Sequence, residues 1–331
     1  MSLELNTKLG HYHVIRPLGE GGMGTVYLAS DTRLDRKVAL KTIAMPESGF
    51  ETLQAEAKIL ASVNHANVLS LYDVFEHEDH YVLVTEYLPN QTLADALASA
   101  PMALDEALDT AIALARGLEA IHQQRIIHCD LKPSNVLLGF DRTVKIGDFG
   151  IALTGQVNDD RTDQVKGTLA AISPELLCGE PATPSSDIYS LGLIYYQLFT
   201  GKPPYDEFHD DDAVREAILK GKIPRPTCPI KEVNQLLDEM LQTSPKARIN
   251  SACDVAQRLQ QVRQKRTLSE LTGTINAAHS KKFPKWASLS LSAVLCIGVL
   301  VGFNAYISEP PPTKRLGVLV DQVVTNGFDE V

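Results

Sequence analysis

The chain has 331 residues, 44% of them hydrophobic and 22% charged, an ordinary globular balance that excludes a wholly disordered, collagen-like or disulfide-stapled protein. Its 31 basic and 41 acidic residues leave a net charge of −10, which argues against a nucleic-acid partner, because phosphate binding draws on clustered Lys and Arg. The five cysteines (Cys129, Cys178, Cys228, Cys253 and Cys296) are far apart and form no CxxC pair, so neither a zinc site nor a disulfide framework is indicated.

From about residue 10 to 90 the pattern is mostly that of strands. Val26–Ala29, Val38–Lys41, Leu69–Phe75 and Tyr81–Thr85 are short, rich in β-branched and aromatic residues, and separated by turn signals. One helix interrupts them over about Phe50–Ser62, with Leu53, Ala57 and Leu60 at i, i+4 and i+7. Beyond about residue 92 helices dominate. Leu104, Leu108, Ala111, Ala115 and Leu118 form one apolar stripe over Ala103–His122. Ile188, Leu191, Tyr195 and Leu198 form another, with Ser185 or Ser186 as the expected N-cap and Gly201 as the stop. Between these helices, Val136–Leu138 and Val144–Ile146 predict a small hairpin. A β-rich half followed by an α-rich half is an α+β pattern with a cleft expected between the two.

Residues 264–285 turn polar and basic, as suits a linker or juxtamembrane helix. Trp286 to Ile307 then carries no charge; as a helix it would span about 33 Å, enough for a hydrocarbon core of about 30 Å, with a buried core helix as the alternative. Trp286 and Tyr306 stand near its ends, and Lys281, Lys282 and Lys285 precede it, which places the N-terminal side in the cytoplasm. The tail 308–331 is too short for a core of its own.

Four groups of residues carry chemistry. Gly19, Gly21 and Gly24, in GEGGMGTV, precede a strand rather than a helix, which makes them a hairpin tip whose backbone N–H groups can approach a phosphate. An ordinary glycine-rich turn would read the same. Lys41 shares a strand face with Ala39 and can supply a point charge to phosphate oxygens, and Glu56 on the following helix is a candidate anchor. In His128-Cys129-Asp130-Leu131-Lys132-Pro133-Ser134-Asn135, a carboxylate able to accept a hydroxyl proton stands five residues before an amide able to ligate a hard cation, with Lys132 between them. Asp148, in Asp-Phe-Gly after the hairpin, is a second candidate for Mg2+.

In this order and spacing, these motifs resemble the eukaryotic-type protein kinase family, and within it the bacterial single-pass transmembrane Ser/Thr kinases. The resemblance covers residues 12–263 and implies a bilobal fold, with an N-lobe over 12–88 and a C-lobe over 89–263. It implies ATP as phosphoryl donor, Mg2+, and Ser/Thr hydroxyls of proteins as acceptors, the kinase itself included, in membrane-tethered signalling. Leu18, Gly19, Glu20, Gly21, Gly24, Val26, Ala39, Lys41, Glu56, Thr85, Glu86 and Leu88 would line the ATP site, with Thr85 as gatekeeper and Glu86–Leu88 as the hinge whose backbone meets adenine. Asp130 matches the catalytic base, Lys132 its loop partner, and Asn135 and Asp148 the metal-binding pair. Lys132 and Thr168 match the Ser/Thr-type pattern, Thr162 and Thr168 fall in the activation segment, Glu175 would pair with Arg248, and Asp187 would brace the catalytic loop. The expected location is the bacterial inner membrane with the kinase domain cytoplasmic; homodimerisation stays open. Three departures stand out. Cys129 replaces the usual Arg before the catalytic Asp, Ala171 replaces a common Tyr, and residues 159–163 are acidic. A thiol cannot pair with a phosphorylated loop residue, which implies less dependence on loop phosphorylation. A catalytically silent ATP-binding scaffold and a small-molecule phosphotransferase are the competing readings; the first usually lacks one of the lysine, base or metal groups kept here.

Overall fold

The computed structural model describes residues 4–21, 24–44, 49–78, 80–148, 169–208 and 210–280. The chain divides after Lys265 into two units, and the described part of the second is the end of one helix. The span 286–307, the tail, Thr162 and Thr168 lie outside the described residues. Among the described residues no helix is long and apolar enough to cross a membrane.

The first unit begins with a six-stranded antiparallel sheet in the order β1-β2-β3-β4-β6-β5. Its strands are β1 (Lys8–Leu9), β2 (Tyr12–Gly21), β3 (Gly24–Asp31), β4 (Arg36–Ala44), β5 (Leu71–His77) and β6 (His80–Glu86), with helix α1 (Gly49–Ala61) inserted after β4. Alternation decides what each face does. Tyr27, Leu40 and Val84 stand opposite one another, as do Ala29 and Val38, and they bury one face with Leu9, Tyr12, Val14 and Val82. The other face carries two rows. Gly19, Val26, Lys41 and Leu83 are aligned across β2, β3, β4 and β6, and Leu28, Ala39 and Thr85 form the row beside it. Packing one face therefore presents the predicted nucleotide residues on the other.

The helical half contains α2 (Leu93–Ser99), α3 (Leu104–Gln123), α4 (Pro174–Leu177), α5 (Pro184–Thr200), α6 (Asp211–Leu219), α7 (Lys231–Met240) and α8 (Ala252–Ser280). A small sheet joins β7 (Asn90–Thr92), just before α2, to β8 (Val136–Gly139) and β9 (Val144–Ile146), which lie between α3 and α4 in the chain. Of the predicted stripes, Leu108, Ala111, Ala115 and Leu118 on α3, and Ile188, Leu191, Tyr195 and Leu198 on α5, are buried and join Leu236, Leu237, Met240, Val255 and Leu259 in the main core, while Leu104 at the start of α3 is only partly buried against it. At α5 the start differs from expectation. Thr183 is the N-cap, Pro184 occupies the first turn with its φ already helical, and Ser186 closes a capping box back to Thr183 from the third position. Gly201 ends the helix in the left-handed conformation, φ 78°.

The hairpin tip has a packing requirement of its own. Gly24 has φ 133°, and a Cβ there would come within 1.7 Å of the Thr42 carbonyl oxygen on β4. Gly19 has open space at the same test. Gly24→Ala is therefore expected to lower the stability of the sheet by roughly 2 kcal/mol or more, combining backbone strain with overpacking. Thermal melts without nucleotide check this; an unchanged midpoint would refute the packing role.

Candidate active site

Five of the residues singled out in the sequence, Lys41, Asp130, Lys132, Asn135 and Asp148, are linked where the sheet face looks onto the loop between α3 and β8. Lys41 Nζ forms an ion pair with Asp148 Oδ1, spanning 107 positions of chain; the Lys41 side chain is 15% exposed and that of Asp148 45%. Glu56 lies on α1, and its side chain is outside what the structure describes, so the Lys41–Glu56 pairing expected from the sequence falls outside it too. Lys132 Nζ donates to Asp130 at 3.0 Å (Oδ1) and lies 2.9 Å from Oδ2. Asn135 Nδ2 donates to Asp130 Oδ2 at 2.9 Å and to the Asp130 carbonyl at 2.7 Å. Pro133 to Asn135 form a single 3-10 turn, begun by a proline at its first position, which brings the amide back over Asp130. Gly147 N donates to the Asn135 carbonyl at 2.8 Å, so the residue before Asp148 is fixed to the residue that touches Asp130.

The loop itself is held from below by one buried carboxylate. Asp187, on the first turn of α5 and 1% exposed, accepts from His128 N at 2.8 Å (Oδ2) and from Cys129 N at 3.0 Å (Oδ1), with His122 Nε2 2.9 Å from Oδ2. His128, also buried, places Nε2 3.1 Å from the Gly147 carbonyl and accepts from Asp130 N through Nδ1 at 3.3 Å. Cys129 (φ 63°) and Asp148 (φ 55°) are both left-handed non-glycine residues, each costing about 1–2 kcal/mol. They flank the site, and the surrounding hydrogen bonds over-determine them. Cys129 is held by its main-chain N–H on Asp187, and its thiol donates to the Ile127 carbonyl at 3.7 Å within the same loop.

Among the residues expected to line the ATP site, Ala39 and Thr85 face each other across β4 and β6, Val38 pairs with Glu86 at the strand end, and Leu88 follows in the connection to β7. Further along the chain, Glu175 and Arg248 form a buried bidentate pair. Burial would raise the Glu175 carboxyl, but hydrogen bonds from Arg248 and Ser186 outweigh it and hold the carboxyl below the usual glutamate range. Sequence reasoning did not single out His122, Asn67 or Lys145, and it named Ser186 only as a candidate helix cap, not as a partner of Glu175.

A lysine on the sheet face, a carboxylate loop braced by Asp187 and a second carboxylate after β9 are thus brought to one site of the first unit. The description "protein kinase domain" matches residues 12–263, and the chain belongs to that family. It is 37% identical over 203 residues to serine/threonine-protein kinase PrkC of Bacillus subtilis, covering 60% of this chain and 31% of PrkC. It is 34% identical over 271 residues to serine/threonine-protein kinase PknA of Mycobacterium tuberculosis, covering 78% of this chain and 62% of PknA. With the Aurora kinase of Schizosaccharomyces pombe the identity is 31% over 247 residues, 73% of this chain and 69% of that kinase. The chain thus spans about a third of the length of PrkC.

Proposed function

We propose that this protein is an ATP-dependent Ser/Thr protein kinase. The observation that carries the reading is the convergence of Lys41, Asp130, Lys132, Asn135 and Asp148 on one place, from positions 107 residues apart, within a protein kinase domain. The donor set suits Mg2+. Asn135 spends its Nδ2 on Asp130 and so turns its amide oxygen away, Asp148 offers a half-exposed carboxylate, and both are hard oxygen ligands. Asp148 and Asn135 would hold the metal, whose part is to neutralise charge on the phosphates.

The chain's own groups then divide the work. The hairpin glycines and Lys41 orient the phosphates; the face bearing Val26, Ala39 and Thr85 receives the base, with the backbone from Glu86 to Leu88 along its edge. Asp130 accepts a hydrogen bond from the acceptor hydroxyl and aims its oxygen at the terminal phosphorus. Lys132, beside Asp130, stabilises charge on the transferring group. The Asp130 carboxylate is kept oriented by two donors, so little reorganisation is needed at the moment of transfer.

The resemblance to PrkC and PknA supports protein Ser/Thr hydroxyls as acceptors. The apolar run 286–307, with its basic flank, supports a single membrane tether with the kinase domain on the cytoplasmic side. Radiolabelled ATP offered to the purified protein with protein acceptors, small acceptors or none tests the reading. Label on protein Ser/Thr is expected; label confined to small molecules, or no transfer at all, would reject it.

A further inference from the structure

One polar contact lies outside the phosphate machinery and still reaches both ends of the nucleotide site. Lys145 sits in the middle of β9, between the buried Val144 and Ile146, three residues before Asp148. Its Nζ is 3.0 Å from Glu86 Oε2, and its side chain is 11% exposed against 25% for Glu86. The same Nζ donates to the Val68 carbonyl at 3.3 Å. Glu86 Oε2 also accepts from Ser70 N at 3.4 Å, and Glu86 N donates to the Ser70 carbonyl at 2.9 Å. The loop from α1 to β5 is stitched to β9 on either side of the lysine. Asn67 Nδ2 donates to the Val144 carbonyl at 2.9 Å, Ile146 N to the Asn67 carbonyl at 2.9 Å, and Leu69 N to the Ile146 carbonyl at 2.8 Å.

We infer that Lys145 is a positioning residue for nucleotide binding: its ammonium, held against β9, fixes the Glu86 side chain and so sets the backbone from Glu86 to Leu88 against which the base rests. The inference rests on the kinase reading above and deepens it. Glu86 ends its strand, and beyond it the chain crosses to the helical half without a sheet partner until Asn90. A strand end with one fixed side chain keeps its backbone groups in place; a strand end without it samples several placements, and each ligand must then select one. The ion pair is largely out of water, so its geometry is less screened than that of a surface pair. Lysine at 145 is demanded because it must meet a carboxylate and a carbonyl at once, which an uncharged side chain of similar length cannot.

Steady-state kinetics in the full chain, varying ATP at saturating protein acceptor, distinguish positioning from a purely structural part. Lys145→Met is expected to raise KM for ATP on the order of tenfold, the scale of one charge-assisted hydrogen bond, with kcat within about twofold. Lys145→Arg should recover most of the affinity, and Glu86→Gln combined with Lys145→Met should be no worse than Lys145→Met alone. Direct binding of a non-hydrolysable ATP analogue should weaken in parallel. Glu86→Gln alone, which leaves the lysine in place, serves if the methionine variant does not fold, and it too should raise KM. An unchanged KM in a folded variant would overturn the inference, as would a rise in kcat at constant KM, which would mean that the contact restrains the enzyme. If the unaltered chain neither binds the analogue nor transfers phosphate, the kinase reading itself falls, and this inference with it.

Discussion

Asp130→Asn is expected to lower turnover by at least about 10³-fold while leaving the protein folded, the scale of losing a central electrostatic group from a preorganised site. The reason lies in what the two carboxylate oxygens do. One meets Lys132 and the other meets both Lys132 and the Asn135 amide, so both face hydrogen-bond donors. An asparagine keeps one acceptor oxygen and replaces the other with a donor. Whichever way the new amide turns, it points N–H groups at Lys132 or at Asn135 Nδ2, and it has no charge with which to orient a hydroxyl. The fold should survive, because the loop is positioned by main-chain contacts to Asp187 and His128 rather than by the Asp130 side chain. Lys41→Met is expected to cost as much, since it takes the cation proposed to meet the phosphates and the partner of Asp148 together. Single-turnover transfer at saturating ATP, with thermal melts alongside, checks both. A near-wild-type rate in either folded variant would reject the assignment of roles.

What the sequence made legible follows from how local each signal is. The glycine tip, Lys41 and the Asp130–Asn135 loop could be read because each is a short run whose chemistry depends on neighbours a few positions away. The apolar stripes on α3 and α5 could be read because both lie in the main core; α3 buries one broad face, whereas α5 is buried on all sides from Ser186 to Tyr196, and its Tyr189 and Leu193 join a second cluster. Strand β2 was harder. Its pairing with β3 shifts register between Val14 and Arg16 and again between Pro17 and Gly19, so the period-two pattern that marks a strand is broken twice. Helix α7 does carry a readable stripe in Val233, Leu236, Leu237 and Met240, at i, i+3, i+4 and i+7. Lys145 was out of reach of any pattern. Its partner Glu86 is 59 positions away, and a lysine inside a strand of alternating buried residues reads as a solvated face until the fold brings a carboxylate to it. The start of α5 shows the same limit at short range. Ser185, Ser186 and Thr183 are all acceptable caps, and only the proline at 184 decides among them.

Arg248→Met is expected to be the most destabilising single change in the helical half, by about 3–5 kcal/mol, because it strands a buried carboxylate. Arg248 and Glu175 are 4% and 5% exposed. All three guanidinium nitrogens are engaged: Nε donates to the Gln242 carbonyl at 2.7 Å, Nη1 to Glu175 Oε1 at 2.6 Å and the Ser185 carbonyl at 2.9 Å, and Nη2 to Glu175 Oε2 at 2.6 Å and the Thr243 carbonyl at 3.1 Å. The cation also lies 4.8 Å from the centre of the Tyr189 ring, whose hydroxyl meets Tyr205 at 2.9 Å. Methionine fills much of the volume but leaves Glu175, among the described residues, with the Ser186 hydroxyl at 2.7 Å and its own backbone N–H, and with no cation. For a domain of this size the melting midpoint should fall by roughly 10 °C or more. Replacing both partners by apolar residues should recover part of the loss, since the desolvation cost then disappears. Acid gives an independent check on the cause. In the intact protein the Glu175 carboxyl is held below its ordinary value, so the pair's contribution is fully present above that value and declines as pH falls through the folded one. In Arg248→Met the same carboxyl, still buried but without its cation, should be raised instead, and protonation should then relieve the variant. Melts between about pH 7.5 and pH 5, a window above the ordinary glutamate value of about 4.3, should therefore show the gap between the two proteins narrowing on acidification. A gap that stays constant across that range would mean that the lost stability comes from packing around Tyr189 and not from the stranded charge.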